Sequence, residues 1–389
     1  MNKSKTIAVL SSSRADFGLL RPLIDEILLG DCELRLLVTG SHLVDSLGKT
    51  ISEIESLGYE VTASFDILHN DAATRMDVAF SEAVLLFGEY FSHTKPDMLV
   101  ILGDRYESLA VAIAASMHHV EIAHISGGDV TIGALDDAYR HSITKLSILH
   151  FTSTEVYRKR VIQLGESPER VFNVGALGVE NISKLSLLTK EQLGNETGFN
   201  FAKDYILCTY HPETLSDSAV SDDAEDLLGA LSVVGIPVLF TKANADEGGA
   251  TINNLIESYC DTHKDCMLVD SLGTLRYLSA MKYAKAVVGN SSSAIIEGSA
   301  FKVPVVNIGM RQVGRVMGDN VICCNNSRMT IEKALCMAIA KDFSDDIADM
   351  KNPYEGIDVA KNILKRIMDY LDSSEGVVKF FYDVRFKLE

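Results

Sequence analysis

Short runs of uninterrupted apolar residues alternate, through the first half of the chain, with longer segments whose apolar positions recur every three or four residues. The runs at Thr6–Leu10, Leu34–Thr39, Met98–Leu102, Glu121–Ile125, Ile148–Thr152 and Val171–Val174 predict strands. A strand apolar on successive positions is one covered on both faces, as in a parallel sheet. Phe17–Leu29, Asp71–Phe91, Arg105–Met117, Leu135–Ser147 and Thr154–Leu164 predict the helices between them. Glu180–Asn200 then loses its periodicity and turns polar (LLTKEQLGNETGFN), which predicts a linker or irregular connection. A second series follows, with strands predicted at Tyr205–Thr209, Pro237–Phe240, Met267–Val269, Ala286–Val288 and Val303–Asn307. A last helical pattern, Ile357–Tyr370, leads into a tail. The pattern predicts two doubly wound α/β domains with a central cleft, and ligands beyond the carboxyl ends of the strands. The expected boundaries are 1–178, 179–355 and, for the last helix and tail, 356–389.

The chain's 389 residues are long enough for two such cores. With 54 acidic and 36 basic residues its formal charge is −18. That balance argues against nucleic acid or an anionic membrane as partner, since both demand a basic footprint. A small anion responds instead to the local field of its site. The seven cysteines are scattered without a Cys-x-x-Cys, which predicts small core residues in a reducing compartment rather than disulfides or zinc ligands. No apolar run approaches the roughly 18 residues of a membrane span. A cytoplasmic location is expected.

Polar motifs fall where the predicted strands end. Ser11-Ser12-Ser13-Arg14-Ala15-Asp16-Phe17-Gly18 follows the first strand; its N–H groups and Arg14 suit a phosphate, while a capped helix with a surface arginine is an equal reading. Gly103-Asp104-Arg105-Tyr106-Glu107 opens another helix, with Asp104 a candidate cap. There is no Rossmann glycine fingerprint and no Walker A motif. The densest polar segment runs from His124-Ile125-Ser126-Gly127-Gly128-Asp129 to Asp136, Asp137, Arg140, His141 and Lys145. Spacings of four place Asp136 with Arg140 and Asp137 with His141 on one helix face, either as a solvated ion-pair face or as acid–base machinery. Metal binding is the weaker reading, because no His-x-x-x-His or EF-hand spacing occurs. Later come Tyr210-His211-Pro212-Glu213, then Lys242, Asn244 and Asp246. Gly289-Asn290-Ser291-Ser292-Ser293 with Glu297 one turn on, and Gly309-Met310-Arg311-Gln312 with Gly314-Arg315, complete the set. A hydroxyl run entering a helix is a natural diphosphate cradle, and Glu297 suits ribose hydroxyls.

Taken in order, SSSRADFG, VTGSHL, LGDRYE, HISGGD, GALDDAYRHSITK, RVIQLGESPERVFNVGALG, YHPET, NADEGG, GNSSSAIIE and NIGMRQVGR resemble the hydrolysing UDP-N-acetylglucosamine 2-epimerases of bacterial sialic acid biosynthesis. The resemblance spans nearly the whole chain. It implies a GT-B-like fold of two Rossmann-like domains, the first on the sugar and acid–base side and the second on the nucleotide diphosphate side. The C-terminal helix is then expected back on the first domain. Conversion of UDP-N-acetylglucosamine to N-acetylmannosamine and UDP is implied, through elimination to 2-acetamidoglucal and hydration, by a homo-oligomer (dimer or tetramer) without cofactor or metal. Arg14, Arg105, His211, Asn244, Ser291, Ser292, Glu297 and Arg311 match nucleotide-binding positions of the family. Asp104 and Asp136 match its acid–base carboxylates, and Asp129 stands where most members have glutamate. Ser126 stands where relatives carry glutamate or histidine, so Asp129 and His141 are the candidates for the role left open. Gly18 and the SSSRAD turn also depart from the common pattern. The same reaction on a 2,4-diacetamido-2,4,6-trideoxy sugar nucleotide of the legionaminic acid pathway is the alternative. A GT-B glycosyltransferase and a catalytically dead nucleotide-sugar sensor are weaker ones.

Overall fold

The computed structural model describes residues 4–132, 135–213, 219–243, 248–373 and 378–385. It divides into two compact units. Residues 1–129, 135–180 and 356–389 form the first; residues 130–134 and 181–355 form the second.

In the first unit, β1 (Lys5–Ser11), β2 (Cys32–Thr39), β3 (Ala63–Phe65), β4 (Met98–Leu102), β5 (Ile122–Ile125), β6 (Leu149–Thr152) and β7 (Val171–Asn173) make one sheet in the order β3-β2-β1-β4-β5-β6-β7. Every pairing in it is parallel. The helices are α1 (Arg14–Leu29), α2 (Ile51–Ser56), α3 (Met76–His93), α4 (Tyr106–Met117), α5 (Leu135–Leu146) and α6 (Glu155–Gln163), and the boundary between units falls within α7 (Leu177–Lys184). The central strands β1 and β4 are apolar throughout because both faces are covered: Ile7, Val9 and Val100 face one buried cluster, Ala8, Leu99 and Ile101 the other.

The second unit begins with α8 (Lys190–Thr197), inside the stretch expected to be irregular. Thr189 accepts from the Gln192 N–H and Gln192 returns a bond to the Thr189 N–H, so a capping box starts a helix whose buried face is little more than Leu193. A helix with one buried residue leaves almost no periodicity to read. Its sheet comprises β8 (Ile206–Thr209), β9 (Val238–Thr241), β10 (Met267–Val269), β11 (Ala286–Gly289), β12 (Val305–Ile308) and β13 (Val321–Cys324), ordered β10-β9-β8-β11-β12-β13 and again parallel. Its helices are α9 (Val220–Val234), α10 (Gly249–Thr262), α11 (Gly273–Tyr283), α12 (Ser292–Phe301), α13 (Arg328–Ile339) and α14 (Lys341–Asp346). The chain then returns to the first unit as α15 (Val359–Asp372).

All seven cysteines are free thiols, but only Cys208 is buried; Cys323 and Cys336 are exposed and the other four are half-buried. The expectation of seven core residues is therefore corrected. Cys323 and Cys324 lie on β13, the edge of its sheet, where one side lacks a neighbouring strand. Among the described residues no helix is long and apolar enough to cross a membrane.

Candidate active site

In each sheet the connections reverse direction at one pair of neighbouring strands, β1/β4 in the first and β8/β11 in the second. Loops leaving such a pair diverge and open a crevice at the strands' carboxyl ends. The polar motifs leave from these strands and their neighbours.

At the first switch point, Ser13 caps α1 by accepting from the Asp16 N–H, and Asp16 turns back to the Ser12 hydroxyl at 2.6 Å. Arg14, half exposed, pairs with Glu53 at 3.0 Å. The capping reading thus accounts for Ser13, and the guanidinium stands at the helix start. Behind this turn, His42 bonds to the Ser11 hydroxyl at 2.8 Å and the Thr50 hydroxyl at 2.7 Å. Burial lowers His42 to about 4, so it is neutral at pH 7. After β4, Arg105 donates to the almost fully buried Glu107 carboxylate at 2.7 Å.

Beside these lies the acidic cluster. Arg140, from the middle of α5, is 1% exposed. Its guanidinium donates to the Asp104 carboxylate, to Asp137 Oδ1 at 3.1 Å and to the Asp129 carbonyl at 2.9 Å. One buried cation therefore gathers the ends of β4 and β5 and the first turn of α5. His141 Nε2 lies 3.5 Å from Asp137 Oδ2, the pairing its spacing predicts. Burial lowers the His141 imidazole, against the nearby Asp137 charge, and leaves it neutral at pH 7. Asp136 is half-buried in the first turn of α5, and Asp129 is 5% exposed.

The backbone here is bent by unusual conformations. Gly103 (φ +77°), Ser126 (φ +65°) and Gly128 (φ +82°) are left-handed, and a Cβ on Gly128 would lie 2.5 Å from the Tyr157 carbonyl. His124, fully buried, braces this bend. A carbonyl only accepts, so Nε2 carries the proton that it gives to the Gly103 carbonyl at 2.8 Å, and Nδ1 accepts from the Thr144 hydroxyl at 3.0 Å. Burial drives His124 to about 3, consistent with a neutral ring.

At the second switch point, Glu213 Oε1 accepts the N–H groups of Met310 (2.7 Å) and Arg311 (3.0 Å), and a Cβ on Gly309 would lie 2.2 Å from it. Glu213 so fixes the turn that carries Arg311. The Arg311 guanidinium and the Gln312 amide both donate to the Asn290 carbonyl, at 3.3 and 2.8 Å. His211 is driven to about 3 by burial and by the Arg311 charge. Ser291 precedes α12 without using its side chain as a cap. Glu297, one turn into α12, is raised to about 7 by burial, partly offset by its own N–H, Ser293 and Arg315. The Arg315 guanidinium reaches Thr131 Oγ1 at 3.4 Å.

The structure thus joins Asp104, Asp137 and the Asp129 carbonyl through Arg140 in the first unit, with His141 beside Asp137 and Asp136 in the same helical turn as Asp137; Arg14 and Arg105 leave neighbouring strands. In the second, His211 and Arg311 meet at Asn290, which Ser291 and Ser292 follow in the chain, and Glu297 lies farther along α12 beside Ser293 and Arg315. Asn244 lies outside the described residues. Sequence reasoning assigned no role to Glu107, His124, Glu213 or Asn290, although each stood within a quoted motif. Among the described residues no group of three or more His, Cys, Asp or Glu side chains is placed to hold a metal ion.

A family model described as UDP-N-acetylglucosamine 2-epimerase matches residues 29–368. The chain is 43% identical over 327 residues to the GDP/UDP-N,N'-diacetylbacillosamine 2-epimerase (hydrolyzing) of Campylobacter jejuni, covering 83% of this chain and 84% of that protein. It is 38% identical over 384 residues to polysialic acid biosynthesis protein P7 of Escherichia coli, covering 98% of both. The crystal structure of UDP-GlcNAc 2-epimerase from Neisseria meningitidis bound to UDP-GlcNAc superposes with a TM-score of 0.81 at 16% identity, over 94% of this chain and all of that one. At that identity the likeness speaks for the fold, which is GT-B-like with Rossmann-like sheets, as expected.

Proposed function

Because the chain belongs to the UDP-N-acetylglucosamine 2-epimerase family, we propose that it hydrolyses and epimerises a UDP-linked 2-acetamido sugar, with UDP-N-acetylglucosamine giving N-acetylmannosamine and UDP. The observation that carries the reading is the buried Arg140, which binds Asp104 and Asp137 together at the ends of β4 and α5. Such an arrangement fixes carboxylates in direction, and proton transfer demands fixed direction.

The chemistry constrains the order of events. The sugar C2–H is a poor acid because no carbonyl adjoins that carbon in the ring. The C1–O bond to the diphosphate therefore weakens first, its electron pair leaving on UDP. Asp104 or Asp136 takes the C2 proton, the C–H pair becomes the C1=C2 bond, and 2-acetamidoglucal results. Water then adds, hydroxyl to C1 and proton to C2 from the opposite face, with Asp129 and His141 as the candidate donors and acceptors. His141, neutral at pH 7, is in the state that accepts a proton. Arg14, Arg105, His211, Asn244, Ser291, Ser292 and Arg311 are assigned to the nucleotide and the charge that grows on its diphosphate. Glu297 is assigned to ribose hydroxyls. No step calls for a metal or redox cofactor. The reading also carries a cytoplasmic location and a homo-oligomer, dimer or tetramer, which light scattering on the purified chain measures.

A second reading is favoured by the 43% identity to a diacetylbacillosamine epimerase: the same reaction on UDP-2,4-diacetamido-2,4,6-trideoxyglucose. One experiment tests both. The protein is incubated with each sugar nucleotide in deuterated water and the products are followed by NMR. A free manno-configured sugar with deuterium at C2 is expected from the true substrate. Both sugar nucleotides surviving intact would remove the proposal, and turnover of the diacetamido sugar alone would select the second reading.

A further inference from the structure

Strands β8 and β11 run parallel and end in register, Thr209 opposite Gly289. Gly289 approaches so closely that a Cβ would lie 1.9 Å from the Thr209 carbonyl, and the Asn290 N–H still reaches that carbonyl at 3.2 Å. Past this point the ladder has no backbone to continue it. One chain turns into α12, and the other runs extended into Pro212, which restricts His211 to that conformation. Asn290 supplies the missing rung with its side chain. Its Oδ1 accepts the His211 N–H at 2.8 Å, and its Nδ2 donates to the His211 carbonyl at 2.8 Å. A carboxamide offers one acceptor and a donor with the geometry of a peptide group, which neither aspartate nor leucine does. Asn290 is fully buried, and its own carbonyl receives Arg311 and Gln312.

We propose that Asn290 is the positioning residue of the diphosphate site: it holds His211, the Ser291–Ser292 helix start and Arg311 at fixed mutual distances without touching the ligand. The proposal rests on the functional reading above. Three segments that donate to one anion do so together only if they cannot drift apart. The three meet in Asn290: its side-chain amide holds His211, its main-chain carbonyl receives Arg311, and its backbone leads into Ser291, so losing the amide shifts that carbonyl and the helix start relative to His211; Glu213 secures Arg311 from its other side. Loss of Asn290 should therefore weaken phosphate recognition and spare nucleoside recognition.

The test compares UDP and uridine binding by calorimetry in wild type, Asn290→Ala and Asn290→Asp, with apo thermal unfolding recorded beside them. Expected is a loss of UDP affinity on the order of tenfold or more in both variants, as for one misaligned charge-assisted bond, with uridine affinity within about threefold of wild type. Asn290→Asp keeps the size and the acceptor, so it is the deciding variant should Asn290→Ala fail to fold. Its added charge is separated from misplacement by Asn290→Leu, which keeps the size with neither charge nor amide: a loss that Asn290→Leu shares supports misplacement. UDP affinity equal to wild type overturns the inference, as do a parallel loss of uridine, a loss in Asn290→Asp that Asn290→Leu does not share, or unfolding of every variant. A wild type that does not bind UDP removes the functional reading itself, and a wild type that binds with unaffected variants removes only the role of Asn290.

Discussion

Glu297 is a carboxylic acid placed where its charge is unwelcome. Burial raises it to about 7, while its own N–H, the Ser293 hydroxyl and the Arg315 charge restrain the shift. The folded value lies above the ordinary 4.5 of glutamate. Between these values the native protein keeps a proton that the unfolded chain has lost, so stability falls as pH rises through this window and levels off above about 7. In Glu297→Gln this slope should vanish. Urea unfolding at pH 5 and pH 8 should show wild type losing roughly 1–3 kcal/mol relative to the variant across that interval; parallel curves would show the shift to be absent. Glu166, held down to about 2 against burial by His150, Lys145 and Lys379, has the opposite sign, and its contribution is lost only as pH falls well below this range. The residue types at the site were legible in the chain, since serines, arginines and carboxylates at strand ends announce themselves. Their partners were not. Asn290 finds His211 across 79 positions, and Glu213 finds Arg311 across 98. No local spacing encodes such pairs.

Helix α5 carries Asp136 in its first turn and Arg140 and His141 at its middle, and the C-terminal tail secures its last turn. The Lys379 ammonium donates to the carbonyls of Thr144, Lys145 and Ser147 at 3.3, 2.8 and 2.7 Å, and to Glu166 at 2.7 Å. A cation at the last turn satisfies carbonyls that have no partner within the helix and favours its dipole. Glu166 also takes Lys145 at 2.6 Å and the buried His150 at 2.9 Å. Nearby, the Tyr382 N–H reaches the Gly165 carbonyl at 2.8 Å, and the Phe381 ring occupies the place a side chain on Gly165 would take. Lys379→Met should cost about 1–3 kcal/mol, because it leaves a buried carboxylate and several carbonyls short of a donor. Amide exchange should quicken in the last turn of α5 while UDP affinity holds; unchanged exchange there would show that the tail does not secure the helix. The helix itself was legible from its apolar spacing. The tail was not, because its apolar residues have no period and its bonds to the helix end come from a lysine, a residue type that ordinarily reads as solvated surface. The capping box of α8 is the contrary case, a local signal present in Thr189 and Gln192 that weak amphipathicity concealed.

The fold class followed from the alternation of apolar runs and helical patterns, because two-sided burial leaves its mark on the central parallel strands; the edge strand β3 (Ala63–Phe65), with no buried residue, carried none and was not predicted. The order of strands and the route of the chain leave no such mark. That route has an energetic consequence. The first unit is built from the start of the chain and from its end, residues 356–389. Gly356 marks the return, where a Cβ would lie 2.0 Å from the Val174 carbonyl. From there α15 buries Val359, Ala360, Ile363 and Ile367 in the same cluster as Leu20, Leu23 and Ile27 of α1, and Glu180 accepts the Ala360 N–H at 2.8 Å. Burying one valine and two isoleucines stabilises by about 4.5–9 kcal/mol at the usual 1.5–3 for each. The whole stability of a domain is only about 5–15 kcal/mol. A chain ending at residue 355 should therefore lose the first unit while the second, whose sheet and clusters are complete without α15, still unfolds cooperatively. The two-dimensional amide NMR spectrum of that truncation should keep dispersed signals from 181–355 and collapse those from 1–129 toward random-coil positions. Adding a peptide of residues 356–389 in trans should restore part of the lost dispersion, since the missing contacts are side-chain burial rather than a covalent requirement. Full dispersion without the peptide would show that the sheet and α1 hold the first unit alone, and that α15 is an accessory to it.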